Sequence, residues 1–171
     1  MTSGADPLMM FLAMLDDVPN EVLDQPAVTF SPGELLITEG SKPPAIYFLD
    51  SGSVDIFKGD VRIARESKRG ASFGEMALLL DIPATATVKA STECRCFAVF
   101  DGVAFLQKNP DVLFGISVQL AERLEAITRY VADLKVQFQR GSGSHFEMVD
   151  SVVETLIVKS PRRIPRTGRG H

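Results

Sequence analysis

Residues 72–90 read SFGEMALLLDIPATATVKA, and the pattern changes several times within these nineteen positions. Ser72 and Phe73 end one strand pattern, and Gly74 then permits a close approach of the backbone. A short apolar helical turn follows, and Asp-Ile-Pro at 81–83 returns the chain into the next strand. We call residues 72–90 the cassette. Its pattern predicts a short helix inserted between two strands of a sheet.

The start of the cassette helix has the chemistry of a ligand site. The backbone N–H groups of Met76, Ala77 and Leu78 lie in a first helical turn, where N–H groups lack partners and the helix dipole is positive. Glu75 is a carboxylate placed to accept hydrogen bonds from hydroxyl groups, although it could instead cap the turn. The cassette therefore predicts a site for an anion that also carries hydroxyls.

Short β segments separated by glycine-rich turns surround the cassette. About five residues per strand, with turn signals every eight to twelve residues, indicate an antiparallel roll or barrel. The predicted strands are Val28–Phe30, Leu35–Thr38, Ala45–Leu49, Val54–Lys58, Val61–Arg65, Thr85–Ala90 and Arg95–Val99. The predicted fold is α+β: a jelly-roll-like antiparallel β-roll with an N-terminal helix, a short cassette helix and a long C-terminal helix.

Helical patterns flank the strands on both sides. Residues 7–17 predict a short amphipathic helix that ends at Pro19 and Asn20, and Val103–Gln107 predicts another. From Asp111 to Gln139 the sequence predicts one helix about 42 Å long. Its apolar stripe repeats every 3.5 residues, which is typical of a coiled coil, although the helix could pack on its own domain instead. The stripe predicts a dimer interface at Leu120, Leu124, Ile127, Val131, Leu134 and Phe138.

The last thirty residues differ from the rest. Residues 141–144 are Gly-Ser-Gly-Ser, a flexible linker that could also be an engineered junction to a fused peptide. Ser144 and Glu147 match a capping box and predict a helix over 145–158. Residues 159–171 predict a disordered basic tail. The helix has one narrow apolar face, which predicts a partner-docking surface at Val149, Val152, Val153, Leu156 and Ile157.

Composition excludes several classes of protein. Residues 141–171 are net +2 and the first 140 are net −6, which does not suit a protein that grips nucleic-acid phosphates. No apolar run approaches the length of a membrane span, and residues 8–15 lack the basic flank of a signal peptide, so a cytoplasmic location is expected. Cys94 and Cys96 would face the same side of a strand as reduced thiols, and no metal site is expected.

Together these motifs resemble the cyclic-nucleotide-binding family, which includes catabolite-activator-type regulators, regulatory subunits of protein kinase A and cyclic-nucleotide-gated channels. The cassette is similar to that family's phosphate-binding cassette. The runs SPGELLITEG at 31–40 and IYFLDSG at 46–52 also match the family. With the helices, the resemblance covers roughly residues 8–139.

The resemblance implies roles for particular residues of this chain. Glu75 corresponds to the carboxylate that binds a ribose 2′-hydroxyl, and the backbone of Gly74–Ala77 to the wall facing the cyclic phosphate. Thr85 is placed to touch that phosphate, and Thr128 resembles a polar position that reaches the base. The implied ligand site comprises Phe73, Gly74, Glu75, Met76, Ala77, Ala84, Thr85 and Thr128.

One departure puts phosphate binding in doubt. The family has an arginine directly after the cassette proline, where its planar fork pairs with the cyclic phosphate. This chain has Ala84 after Pro83. Lys89 should face away from that point, whereas Arg69 or Lys68 could swing in.

The resulting expectation is a non-enzymatic regulatory or scaffolding module, dimeric, with weak or altered nucleotide binding and output through protein contacts. The alternative is a working cyclic AMP or cyclic GMP sensor that uses a substitute cation. His145 and His171 both lie in the tail, so no catalytic constellation can be assembled in the roll. No helix-turn-helix follows the long helix, so DNA binding is not expected.

The expected organisation has four parts. Residues 1–20 are an N-terminal helical segment, and residues 21–101 form the roll. Residues 102–140 are C-terminal helices, and residues 141–171 hold the linker, the amphipathic helix and the tail.

Overall fold

The computed structural model describes residues 17–139 of the chain. Apart from Asp17, the helix predicted over 7–17 lies outside the described residues. The linker, docking helix and basic tail predicted after residue 140 lie outside them as well.

The described elements alternate in the way that the sequence predicts: strands in the middle and helices at the ends. In chain order they are α1 (Asn20–Leu23), β1 (Ala27–Phe30), β2 (Leu35–Ile37), β3 (Ile46–Ser51), β4 (Val54–Lys58), β5 (Val61–Glu66), β6 (Ser72–Phe73), α2 (Glu75–Leu80), β7 (Thr87–Ala90), β8 (Cys94–Val99), α3 (Gly102–Lys108) and α4 (Pro110–Gln139).

The strands form two four-stranded sheets, in the orders β1-β8-β3-β6 and β2-β7-β4-β5. Every pairing is antiparallel. The predicted α+β roll with a cassette helix and a long C-terminal helix is therefore confirmed. All seven predicted strands are present with ends within two residues of the prediction, because glycine-rich turns bound these short β segments in the sequence.

Three local features differ from the sequence prediction. A short helix that was not predicted begins at Pro19 and Asn20, since the N–H groups of Val22 and Leu23 donate to the Pro19 carbonyl at 2.9 and 3.1 Å. A proline can occupy a helix start because its missing N–H would have no partner there. The strand end predicted at Ser72 and Phe73 is a separate strand of only two residues, β6. The last strand of the cassette, β7, begins at Thr87, whereas the sequence predicted a start at Thr85.

Side chains from both sheets fill the interior of the roll. The buried cluster is Leu36, Ile37, Ala45, Tyr47, Leu49, Val54, Ala71, Phe73, Ala84, Val88, Ala90, Cys94, Cys96 and Ala98. Cys94 and Cys96 are free thiols on this inner face, as their spacing predicts. Burial raises the pKa of Cys96 to about 12, so this thiol is protonated and unreactive at neutral pH.

Strand β3 of the first sheet is buried on both of its faces along most of its length. In β3, Tyr47 and Leu49 belong to the interior cluster, while Ile46 and Phe48, which alternate with them, are only 2% and 1% exposed. A strand that is covered on both faces reads as one continuous apolar run, as β3 does. Buried helix residues Val22, Leu106, Val112 and Ile116 add apolar surface outside the roll interior.

The chain divides into two compact units, residues 1–119 and residues 120–171. The first unit holds the roll, the cassette and the beginning of α4. The described part of the second unit is the remainder of α4, as far as Gln139. None of the described helices combines the length and apolar character needed to cross a bilayer.

Candidate ligand site

The cassette folds as its sequence predicts. After β6, Gly74 has φ 91°, and α2 runs for six residues to Leu80. Asp81 then adopts φ 50°, and the N–H of Ile82 donates to the Ala77 carbonyl at 3.1 Å. This closes the helix within two turns and directs the chain through Pro83 to β7.

Gly74 provides the close backbone approach that the sequence predicts. A Cβ atom added there would lie 2.9 Å from the carbonyl oxygen of Ala45 and 3.3 Å from Cδ1 of Ile37. Together with the positive φ, this contact makes glycine the residue that the position accepts. Gly74 thus fixes where the cassette helix begins relative to β3.

Glu75 is a buried carboxylate at the first position of α2. It is 2% exposed, and no buried side-chain N or O atom in the described range 17–139 lacks a hydrogen-bond partner. Burying a carboxylate is costly unless it is paired or hydrogen-bonded. A buried acid directly after the cassette glycine is the arrangement expected for a hydroxyl-binding residue.

The backbone donors at the helix start are fewer than the sequence predicts. The N–H of Leu78 donates to the Gly74 carbonyl at 3.2 Å and is therefore used by the helix itself. Met76 and Ala77 precede this first bond, so their N–H groups have no partner within α2, and Gly74 has no side chain to cap them. Two of the three predicted donors remain as candidates.

Ala84 lies in the roll interior, where the family places its arginine. It is 7% exposed and belongs to the same buried cluster as Phe73, Ile37 and Leu49. Its N–H donates to the Ser41 carbonyl and its carbonyl accepts from the Gly40 N–H, each at 2.8 Å. The backbone of Ala84 is thus fixed, and an apolar methyl stands where a guanidinium would point. The next residue, Thr85, is exposed.

Two of the three cations considered from the sequence, Lys89 and Arg69, do not approach this position. Lys89 alternates with the buried residues Val88 and Ala90, and its Cε lies 3.9 Å from a Cβ built on Gly33, so it faces outward as predicted. Arg69 donates from Nε to Asp50 at 2.9 Å and also pairs with Asp17. Arg69 is therefore engaged away from the cassette.

Sequence reasoning missed a cation that does reach the cassette. Nζ of Lys58 donates to the Thr85 carbonyl at 2.7 Å and forms an ion pair with Oε1 of Glu39. Oε2 of Glu39 accepts from the Gly59 N–H at 2.8 Å. The N–H of Glu39 donates to Oγ1 of Thr87 at 3.0 Å. The tip of the β4–β5 hairpin is thereby tied to the end of the cassette.

Strand parity was the signal that could have identified Lys58. In β4, Val54 belongs to the interior cluster and Ile56 packs against it, so strict alternation would place Lys58, two residues further, on the same inner face. The pairing of β4 with β7 is regular from Val54 to Phe57, whereas the pairing of β4 with β5 shifts register between Ile56 and Phe57, so parity points to this position without fixing the direction of the Lys58 side chain.

A separate cavity of about 450 Å³ lies against the other side of the cassette. Its lining is mainly apolar, and it includes Pro43, Pro44, Leu78, Ile82, Phe100 and Val103. Gly74 and Ala77 border it, whereas Glu75, Ala84 and Thr85 do not. This cavity therefore does not coincide with the ligand site that the sequence predicts.

The remaining predicted site residues lie in the second unit or outside the described range. Thr128 lies on α4 and is half-buried, and its role toward a base stays a prediction. Along the stripe, Leu124 and Ile127 are 49% and 52% exposed, while Leu120, Val131 and Leu134 are half-buried. The side chain of Phe138 and the docking residues Val149, Val152, Val153, Leu156 and Ile157 lie outside the described residues.

Comparison with known proteins agrees with this geometry. Residues 27–107 match the family model described as the cyclic nucleotide-binding domain. The fold resembles that of the Thermus thermophilus catabolite activator protein, with a TM-score of 0.55 and 21% identity, covering 90% of this chain and 81% of that one. Residues 27–107 therefore match a cyclic nucleotide-binding domain, and the family resemblance inferred from the cassette is confirmed over that range.

Within that family, the chain is similar to domains of cyclic-nucleotide-dependent kinases. It is 35% identical over 109 residues to a cAMP-dependent protein kinase regulatory subunit of Emericella nidulans, covering 56% of this chain and 26% of that protein. It is 36% identical over 93 residues to a cGMP-dependent protein kinase of Eimeria tenella, covering 52% and 9%. The chain thus spans about a quarter or less of these relatives.

Proposed function

We propose that this chain is a non-catalytic regulatory module, dimeric through α4, that binds cyclic nucleotides weakly and acts through protein contacts. The observation that carries the proposal is Ala84, a buried methyl at the position where the family uses an arginine. The relatives named for cAMP- and cGMP-dependent kinases support a cyclic nucleotide as the ligand class and a protein as the recipient of the signal.

The weak binding follows from the missing charge pair. Losing one partner of a desolvated charge pair typically costs about 2–5 kcal/mol. At about 1.4 kcal/mol per tenfold change, binding weakens by roughly 30-fold to several thousand-fold. The family resemblance assigns Glu75 to a ribose hydroxyl, and Glu75 is present here, so we expect part of the recognition to remain.

Self-association is supported by the exposed stripe on α4. Leu124 and Ile127 leave about half of their apolar surface open on one chain. In a two-stranded coiled coil such positions are covered by the same positions of a second helix. A dimer through this stripe would join two roll domains in one assembly that contacts a partner protein.

A calorimetric titration of the unmodified protein with cyclic AMP and cyclic GMP tests the proposed ligand binding. We expect no saturation, or saturation only at millimolar ligand, because the phosphate lacks its guanidinium partner. Submicromolar binding of either nucleotide would contradict the weak-binding proposal and would mean that another group holds the phosphate.

A further inference from the structure

We propose that Lys58 supplies the positive charge for an anionic ligand at the cassette, and that Glu39 competes with the ligand for it. This inference rests on the proposed function, because it concerns the residual binding of a cyclic nucleotide. The missing arginine alone implies neither a ligand-binding role for Lys58 nor a competing role for Glu39.

Position is the first support. Lys58 ends β4, and its Nζ lies 2.7 Å from the carbonyl oxygen of Thr85. Thr85 follows Ala84 directly. The ammonium therefore stands one residue from the position where the family's guanidinium begins.

Availability is the second support. The Lys58 side chain is 58% exposed and the Glu39 side chain is 30% exposed. An exposed ion pair contributes little, typically up to about 1 kcal/mol, so a phosphodiester can displace a carboxylate from it. The flexible four-carbon stem of lysine lets the ammonium turn toward a ligand without moving the strand.

Three arginines of the described roll are held by aspartates. Arg65 donates to both carboxylate oxygens of Asp55, at 2.7 and 2.9 Å, and Arg62 lies 3.6 Å from the same carboxylate. Arg95 donates to Asp50 at 2.6 Å. Lys58 differs from these arginines because its partners, Glu39 and the Thr85 carbonyl, belong to the two segments that border the cassette end.

Glu39 is built to compete. Its carboxylate is held by Lys58 and by the N–H of Gly59, and these hydrogen bonds lower the pKa of Glu39. The carboxylate is therefore ionised at neutral pH and occupies the ammonium when no ligand is bound. An incoming phosphate must replace it, which lowers the apparent affinity.

The test is a titration with cyclic AMP, followed by NMR up to millimolar ligand, on four variants and the unmodified protein. Glu39→Gln keeps an acceptor for Gly59 but removes the competing charge, and we expect about two- to fivefold tighter binding. Lys58→Met should weaken binding by about fivefold or more. The double variant Glu39→Gln/Lys58→Met should show no gain over Lys58→Met.

Asp60→Asn is the matched control, because Asp60 lies on the same hairpin and its substitution also removes one negative charge. It should change the affinity by less than about twofold, well below the effect of Glu39→Gln. Thermal unfolding of each variant shows whether the fold is retained. If the Lys58–Glu39 pair only braces the hairpin, the melting temperature changes and the affinity does not.

The outcomes separate this inference from the proposed function. If Glu39→Gln binds cyclic AMP no better than the unmodified protein does, the role of Lys58 is overturned and the proposal of weak binding stands. The same holds if neither protein binds detectably. A gain that persists in the double variant overturns it as well. Tight binding by the unmodified protein contradicts the proposed function, while the ratios among the variants still decide the role of Lys58.

Discussion

At the scale of single residues, the cassette depends on Gly74, whose positive φ and close contact with the Ala45 carbonyl leave no room for a side chain. Gly74, Glu75 and Ala84 lie in one continuous motif, so their order along the chain was enough to identify them. The contact between Glu39 and Lys58 joins residues 19 positions apart in the sequence. Glu39 lies in the turn after β2, and Lys58 is the last residue of β4. It depends on how the β4–β5 hairpin meets the cassette exit, and no local pattern encodes that meeting.

Gly74 provides a test of the cassette geometry at the level of one residue. We expect Gly74→Ala to destabilise the protein by roughly 2–4 kcal/mol, because positive φ costs about 1–2 kcal/mol and the new Cβ would also collide with the Ala45 carbonyl. The measurement is urea unfolding followed by circular dichroism.

Gly33→Ala is the control for that variant. Gly33 has the same φ of 91°, but its nearest neighbour to an added Cβ is a lysine methylene at 3.9 Å, an ordinary contact. Gly33→Ala should lower the free energy of unfolding only by the cost of the positive φ. Equal losses for the two variants would show that the close approach at Gly74 contributes nothing.

At the level of elements, periodicity predicted the strands and the long helix because burial of one face imposes it directly. The errors fell where an end is set by tertiary contacts. The last strand of the cassette, β7, starts at Thr87, because the backbone of Ala84 is hydrogen-bonded to Gly40 and Ser41 before the chain pairs with β4. The short helix at Asn20–Leu23 was missed because proline was taken as a stop signal.

The stripe on α4 makes a prediction at the same level. We expect the unmodified protein to sediment as a dimer at tens of micromolar, and Leu124→Asp with Val131→Asp to sediment as a monomer. Each substitution would bury a charge in the apolar seam, which is strongly unfavourable.

Ala126→Asp with Ala132→Asp is the matched control for the dimer experiment. Both alanines are exposed on α4 and lie outside the 3.5-residue stripe, so the helix bears the same added charge away from the seam. This control should remain dimeric. A monomeric unmodified protein would contradict the proposed interface.

For the whole molecule, the sequence predicted a roll with helices at both ends, and the described roll agrees. The charge asymmetry between the first 140 residues and the tail is a property of the full chain. The roll holds its candidate ligand site at the cassette, while the apolar stripe and the predicted docking helix belong to the other unit. The proposed module therefore separates recognition from assembly along the chain.

We propose that Ala84 weakens nucleotide binding, and calorimetry on Ala84→Arg is the measurement that tests this role. We expect cyclic AMP to bind this variant at least about tenfold more tightly than the unmodified protein, since a charged pair at a buried site contributes at least about 1.4 kcal/mol. Glu75→Ala in the Ala84→Arg background should remove part of the gain. Ala27→Arg, which adds the same charge at an exposed position, should give none. An affinity unchanged by Ala84→Arg would contradict the account.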